Sequence, residues 1–383
     1  MKILFLSHTA MGGPFVVGSH HLAREMARQG HQVIHVSSPV SPAHVTQLRT
    51  AFSRSKFRCC LEGGRLSNGV IDVVPFSMLP WAAVRNSSIL RKIFYSPRRY
   101  LKSVLAKHGM DRVDLIIMDE PRLADLCDTL GPCTKIYRPT DLYAEMRGDP
   151  TFTSIERDIV DSGNFSIVAM SQPIADHLRR LGAEHVSVMQ NGVDYTFFST
   201  PQDLPETITL PGRPLAVYVG ALDDRFSMEH VVAAAKLNPD IEFVLFGPTN
   251  PSISNGILDL QNIALMGAAN YDQLPSILQR AQVALLPLSN HPANAGRSPM
   301  KIYEYAAAGL PVVATKTPEL AARNLPFLKL SNSTSEFAEM VRSCVSEGVT
   351  SDSCQAIQLI AATQSWPEKA RQLLQAAATR ITK

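Results

Sequence analysis

Residues 298–315 read Ser-Pro-Met-Lys-Ile-Tyr-Glu-Tyr-Ala-Ala-Ala-Gly-Leu-Pro-Val-Val-Ala-Thr. A loop here enters a helix whose first turn holds Lys301, then come small residues, a stop at Gly309 and a buried strand, Pro311–Thr315. A helix delivering an apolar, β-branched strand is half of a βαβ unit, and the pattern continues outward. Strands are expected at Leu215–Gly220, Ile241–Gly247, Ile263–Gly267 and Val283–Pro287, separated by helical spacing at Met228–Leu237, Tyr271–Gln279 and Lys301–Ala308. An earlier series has strands at Lys2–Ser7, Gln32–Val36, Asp114–Met118, Thr134–Arg138, Ser166–Met170 and Val186–Gln190. Its helices are expected at Gly18–Gln29, Leu123–Leu130, Ser154–Val160 and Pro173–Leu181.

The fold class is therefore α/β, with two Rossmann-like domains of parallel sheet facing each other across a cleft. Thr200–Pro214, with prolines at 201, 205, 211 and 214, reads as the linker. This divides the chain into 1–199 and 200–366, with a terminal helix over 367–381 free to pack back on the first domain. In such sheets ligands sit outside the carboxyl ends of the strands, so functional residues should follow strands.

Composition narrows the classes. The chain has 383 residues, 45% hydrophobic and 19% charged, and lacks any apolar run near the ~20 residues of a membrane span. The opening MKILFLSHTAMGG is too short for a signal-peptide core, which predicts a cytoplasmic protein. Six cysteines (59, 60, 127, 133, 344, 354) show no C-x-x-C spacing, so neither a disulfide framework nor a zinc site is indicated. Charge is uneven. Twelve Lys/Arg between Arg49 and Lys107 face only Glu62 and Asp72, giving +10 there and leaving −7 for the rest of a chain whose total is +3. An anionic partner follows for the first half: a membrane surface, a phosphorylated substrate or nucleic acid.

A helix N-terminus with a cation beside it can seat a diphosphate without metal. Glu304 lies at i+3 from Lys301, on the same face, where it could accept from sugar hydroxyls; a plain surface ion pair is the ordinary alternative. The loop Ser7–Pro14 is glycine-rich at Gly12-Gly13, suited to a tight turn or to close approach of a ligand, but it lacks G-x-G-x-x-G, and no P-loop pattern occurs.

SPMKIYEYAAAGLPVVAT resembles the sugar-nucleotide motif of GT-B-fold glycosyltransferases, which implies that Lys301 contacts diphosphate and Glu304 the ribose. YVGALDDRF (218–226) is similar to the strand and loop that open their nucleotide domain. NIALMGAANYDQLPSILQRAQVALLPL (262–288) is similar to their base-binding loop, helix and next strand, and VMQNGVDYTFF (188–198) to the end of their first domain. The resemblance places Gly220, Arg225, Met266, Gly267, Arg297, Ser298 and Met300 at the donor alongside Lys301 and Glu304. Gly296 stands where retaining family-4 enzymes carry the first of two glutamates eight positions apart. KIYRPTDLYAEM with SIERDI (135–146 and 154–159) resembles the xanthan glucuronosyltransferase GumK, an inverting enzyme acting on a lipid-diphosphate-linked oligosaccharide, and implies that Asp141 is the catalytic base. Independently, Asp141 follows the strand Thr134–Arg138 at its carboxyl end, where a carboxylate can take a hydroxyl proton; a turn or N-cap role is the ordinary alternative.

Arg225 or Arg297 could hold a donor carboxylate bidentately, or could be solvated surface charges. His8, Gly12 and Gly13 fall on the acceptor side; His20 and His21, being adjacent, cannot share a helix face as metal ligands. No D-x-D triplet is present, and the expected reaction needs no metal or other cofactor. Ile89–Leu105 reads as an amphipathic helix, and Val73–Trp81 as an apolar loop broken by prolines; Trp81, Arg91, Lys92, Arg98 and Arg99 are expected to meet an anionic membrane. A helix packing its apolar face into the domain is the competing reading. The expected function is transfer of a sugar, glucuronate, from a UDP-sugar to a lipid-diphosphate-linked oligosaccharide in surface polysaccharide assembly, at the inner face of the plasma membrane. Alternatives are a retaining family-4-like enzyme using another UDP- or GDP-sugar, a nucleic-acid-binding protein using residues 49–107, and a non-enzymatic sugar-nucleotide sensor. The donor reading leaves nucleic acid without a role.

Overall fold

The computed structural model describes residues 1–13, 16–47, 50–249 and 260–381; Pro14 and Arg49 of the preceding analysis lie outside them. Two compact units result, Met1–Gln190 with Trp366–Lys383, and Asn191–Ser365.

In the first unit β1 (Lys2–Leu6), α1 (Gly18–Arg28) and β2 (Gln32–Val36) form the first βαβ turn, followed by α2 (Ala51–Glu62), β3 (Arg65–Ser67), β4 (Val70–Val73) and α3 (Arg98–Lys107). Then come β5 (Leu115–Met118), β6 (Thr134–Tyr137), α4 (Tyr143–Arg147), α5 (Thr151–Asp161), β7 (Ser166–Ala169), α6 (Gln172–Arg180) and β8 (Val186–Val188). The sheet order is β3-β4-β2-β1-β5-β6-β7-β8. Leu4 pairs with Ile34 on one side and Ile116 on the other, all three completely buried, as central parallel strands covered on both faces must be.

The second unit holds α7 (Tyr195–Ser199), β9 (Leu215–Val219), α8 (Met228–Leu237), β10 (Glu242–Phe246), β11 (Ile263–Gly267), α9 (Leu274–Leu278) and β12 (Val283–Leu286). It continues through α10 (Lys301–Ala307), β13 (Val312–Thr315), α11 (Pro318–Ala322), β14 (Leu328–Ser331), α12 (Thr334–Glu347) and α13 (Ser351–Ala362). Its sheet is parallel throughout, ordered β11-β10-β9-β12-β13-β14. The last helix, α14 (Trp366–Ile381), belongs to the first unit; it packs on α1, β6 and β7, and Trp366 stacks on His21 at 4.8 Å.

Several expectations are corrected. The division falls after Gln190 rather than 199, because α7 drops Phe198 fully into the second core and stacks Phe197 on Tyr271 at 5.2 Å. The expected linker also belongs there, since Leu204, Ile208 and Leu210 pack against the same core. Ile89–Leu105 is not one helix. A π-helical turn, Arg91–Tyr95, precedes α3, and the chain turns extended at Ser96 because Pro97 cannot continue the ladder. The apolar face of α3, Leu101, Val104 and Leu105, lies in the first core. Trp81 turns inward too: its indole donates to Asp149 Oδ2 at 3.1 Å and its ring packs on Tyr95 and Phe152. Arg98 donates to Asp125 O at 3.3 Å, whereas Lys92 and Arg99 are exposed. No helix among the described residues is long and apolar enough to cross a membrane.

Candidate active site

In the second unit the ends of β9, β10 and β11 lie side by side. Gly220 N donates to Phe246 O at 2.8 Å and Gly247 N to Gly267 O at 2.7 Å. Tyr305 fastens α10 to this edge, its hydroxyl accepting from Val219 N at 3.0 Å. A Cβ on Gly220 would overlap Lys301 Nζ, so glycine is what admits the amine. Lys301 Nζ sits 4.9 Å from the centroid of the Tyr218 ring and 3.4 Å from its hydroxyl, a cation–π placement rather than an ion pair.

Glu304 lies one turn further on, and the i+3 spacing has not made an ion pair of the two. Among the described residues neither Lys301 nor Glu304 has an ionic partner. Burial, with Arg297 and Arg225 nearby, lowers the Lys301 amine to about 7. Burial raises the Glu304 carboxyl to about 7 against the opposing pull of Lys301. Each group is thus poised near neutrality, and titratable groups so perturbed mark a candidate functional site.

The two candidate arginines differ. Arg225 is engaged with Asp223, Nη2 to Oδ2 at 2.5 Å and Nε to both oxygens at 3.1 and 3.2 Å. Half-buried Arg297 makes no side-chain hydrogen bond or ion pair among the described residues. Ser298, expected at the donor, is buried, and its hydroxyl accepts from Arg323 Nη2 at 2.8 Å while its carbonyl accepts from Asn191 at 2.7 Å. It fixes the loop instead. Met300 opens α10 without a side-chain cap, and Met266 is exposed on the edge strand beside Gly267. Sequence reasoning missed Asn294, a buried amide that donates at 2.9 Å both to Arg225 O and to Ser289 O, tying the loops after β9 and β12 together. An Asn in a proline-bearing loop after a strand was its one signal.

In the first unit the ends of β1, β5 and β6 bring together His8, Asp119, Glu120, Arg138 and Asp141. Arg138 and Asp119 form a fully buried bidentate pair at 2.9 and 2.5 Å. Glu120, also fully buried, is held by Arg122 at 2.9 and 2.6 Å. Burial opposes ionisation there, but Arg122 and Arg147 pull the carboxyl down to about 2. Tyr143 donates to Asp119 O and lies 3.1 Å from Thr140 Oγ1, which donates to Asp141 Oδ2 at 3.1 Å. Asp141 thus stands at the end of a braced loop, half-exposed. His8 Nδ1 is buried without a partner, and burial lowers the imidazole against the pull of Glu120, Asp119 and Asp141. His20 bonds Thr9 O at 2.9 Å and His21 stacks on Trp366, so both are structural. Among the described residues no group of three or more His, Cys, Asp or Glu could hold a metal ion.

Residues 213–347, within the second unit, match the model of the family Glycosyl transferases group 1. A candidate teichuronic acid biosynthesis glycosyltransferase, TuaH of Bacillus subtilis, is 28% identical over 210 residues, spanning 50% of this chain and 53% of that protein. HepE of Anabaena, solved with UDP and glucose, superposes with a TM-score of 0.64 at 17% identity over 99% of each chain. The lipopolysaccharide outer core galactosyltransferase WaaB does so with 0.60 at 14% identity over 99% of this chain and 100% of its own. The fold is accordingly GT-B in class.

The paired shifts give a pH signature. A diphosphate ester bound against Lys301 raises the amine's pKa above about 7, so affinity falls as pH rises beyond that value. A ligand hydrogen-bonded to the Glu304 carboxylate lowers that group's pKa, so affinity falls as pH drops below about 7. Calorimetric titration should show a bell centred near neutrality, with limbs of up to about tenfold per pH unit. Glu304→Gln should remove the acid limb and Lys301→Met the alkaline limb; a flat profile in the parent contradicts the assignment.

Proposed function

We propose that the protein is a glycosyltransferase that moves glucuronate from UDP-glucuronate to a lipid-diphosphate-linked saccharide in surface polysaccharide assembly. The observation that carries this reading is the Lys301–Glu304 seat: one cation and one carboxyl on a single helix face, half-buried, unpaired with each other, at the carboxyl edge of a parallel sheet. Diphosphate meets Lys301, ribose hydroxyls donate to Glu304, and the base lies along Met266 and Gly267. Lys301 and Arg297 supply positive charge for a diphosphate leaving group, which supports transfer without metal. HepE carries UDP in its solved complex, and TuaH is named for teichuronic acid synthesis; both agree with this class of donor and product. Unengaged Arg297, rather than Arg225, is the fork that would hold the glucuronate carboxylate bidentately.

Direct displacement at the anomeric carbon needs a base for the acceptor hydroxyl, and Asp141 takes that role in this proposal. Thr140 aims it, and His8, whose protonation burial disfavours, offers a nearby nitrogen for the acceptor. Peripheral attachment to the inner face of the plasma membrane is supported by exposed Phe76, Met78, Ile89 and Ile93 in the same stretch of sequence as exposed Lys92 and Arg99, cations worth ~1 kcal/mol each near an anionic leaflet. Serine at Ile89 and Ile93 should lower co-sedimentation with anionic vesicles and spare nucleotide binding; unchanged co-sedimentation contradicts attachment through this patch.

Asp141→Asn keeps shape and hydrogen bonding but cannot take a proton. Turnover of UDP-glucuronate with a lipid-linked saccharide should fall by ~10²-fold or more at unchanged nucleotide affinity. The parent's product should carry the inverted anomeric configuration by NMR. Near-parental turnover in the variant, or retention in the product, removes Asp141 as the base.

A further inference from the structure

The basic stretch of the sequence is spread over several elements of the first unit. Its first part, on α2 and β3, lines a separate cavity of about 130 Å³ in the first unit, walled by Gly12, Phe52, Ser55, Lys56, Arg65 and Asp72 among others. That is room for on the order of four waters, enough for a carboxylate or phosphate and the edge of the ring that bears it. Lys56 is half-buried there, 6.0 Å from the Phe52 ring centroid, with no hydrogen bond or ion pair among the described residues. Arg65, paired with exposed Glu62 at 3.4 Å, adds a second cation. Asp72 is 5% exposed; its Oδ1 lies 3.1 Å from the Nδ1 of fully buried His35, and its Oδ2 has no hydrogen-bond partner among the described residues.

The cavity touches the loop that follows β1. A Cβ on Gly13 would come within 2.9 Å of the Phe52 ring, so glycine lets the α2 aromatic lie on that loop, a few residues from His8.

We propose that this cavity binds the acidic group of the acceptor saccharide, a carboxylate or phosphate carried on a hydroxylated ring, with Lys56 meeting the anion and Asp72 accepting from adjacent hydroxyls. This rests on the reading above that the first unit takes the acceptor. The mixed charge is the argument. A bare anion is repelled by Asp72, and a neutral sugar leaves the Lys56 ammonium half-desolvated without a counter-ion; a hydroxylated anion satisfies both. Burial lowers the Lys56 amine although Asp72 opposes it, as expected of a cation short of partners.

The test titrates the full chain with methyl glucuronoside, glucose 1-phosphate, inorganic phosphate and methyl glucoside, following protein NMR shifts. At least one acidic sugar should bind tenfold or more tighter than methyl glucoside, and which one does identifies carboxylate or phosphate. Lys56→Met should abolish that preference and Lys56→Arg keep it. Asp72→Asn should weaken the acidic sugar but not inorganic phosphate, which has no ring hydroxyls. Parental dispersion of the methyl NMR signals of the first unit reports its folding in each variant, and UDP binding reports that of the second unit. Equal binding of acidic and neutral sugars, or a preference surviving in Lys56→Met, overturns the proposal; parental failure to bind UDP would instead overturn the donor reading.

Discussion

Lys301 is an ammonium half-buried against a tyrosine ring without a counter-ion, and the chemistry of the second unit depends on how that placement is sustained. Desolvating a charge without pairing it is unfavourable, and the strain appears as an amine brought down to about 7. The surroundings hold the side chain there. Gly220 leaves the space, Tyr305 pins the helix to β9, and Ser298, through Arg323 and Asn191, fixes the loop that delivers it. Nearby Arg297 deepens the positive potential rather than relieving it. Such local conflict between sequence and stability is what functional sites carry, and a diphosphate would resolve it.

The first unit solves the opposite problem. Around the ends of β5 and β6 the buried charges are matched, Arg138 with Asp119 and Glu120 with Arg122, while Glu156 accepts from Tyr137 at 2.7 Å and lies 3.0 Å from His177. Removing Arg138 alone would strand a buried carboxylate, a loss of about 3–5 kcal/mol. The Arg138–Asp119 and Glu120–Arg122 pairs sit at the ends of β5 and β6, where the loop carrying Asp141 begins. The base proposed at Asp141, whose reach must be controlled to fractions of an ångström, would gain from such a platform.

Much of this was legible in the sequence. Parallel strands are buried on both faces, so they appear as continuous apolar runs, and β1, β2 and β9 stand where those runs lie. The hairpin of β3 and β4 was not assigned, although its turn, Asn68-Gly69 with φ of +49° and +78°, is the commonest hairpin dipeptide. Strands of three and four residues inside a charged stretch give too little alternation to be read. α12 likewise announces itself with Ser333-x-x-Glu336, where Ser333 accepts from Glu336 N at 3.2 Å. An apolar segment with prolines reads the same whether it meets lipid or a core, so Trp81 and Arg98 were misplaced. Spacing put Lys301 and Glu304 on one face but could not say whether they pair. A glycine eighty-one positions upstream governs where the amine lies. Nor could loop position separate Arg225 from Arg297, since the difference lies in Asp223, two residues from Arg225.

The donor seat is tested most directly by comparing UDP with uridine on parent, Lys301→Met and Glu304→Gln chains, by calorimetry with chelator present. The account predicts that Lys301→Met weakens UDP while leaving uridine unchanged, and that Glu304→Gln weakens both, because one residue meets phosphate and the other ribose. Parental binding of UDP by both variants, or equal losses for UDP and uridine in Lys301→Met, would contradict it.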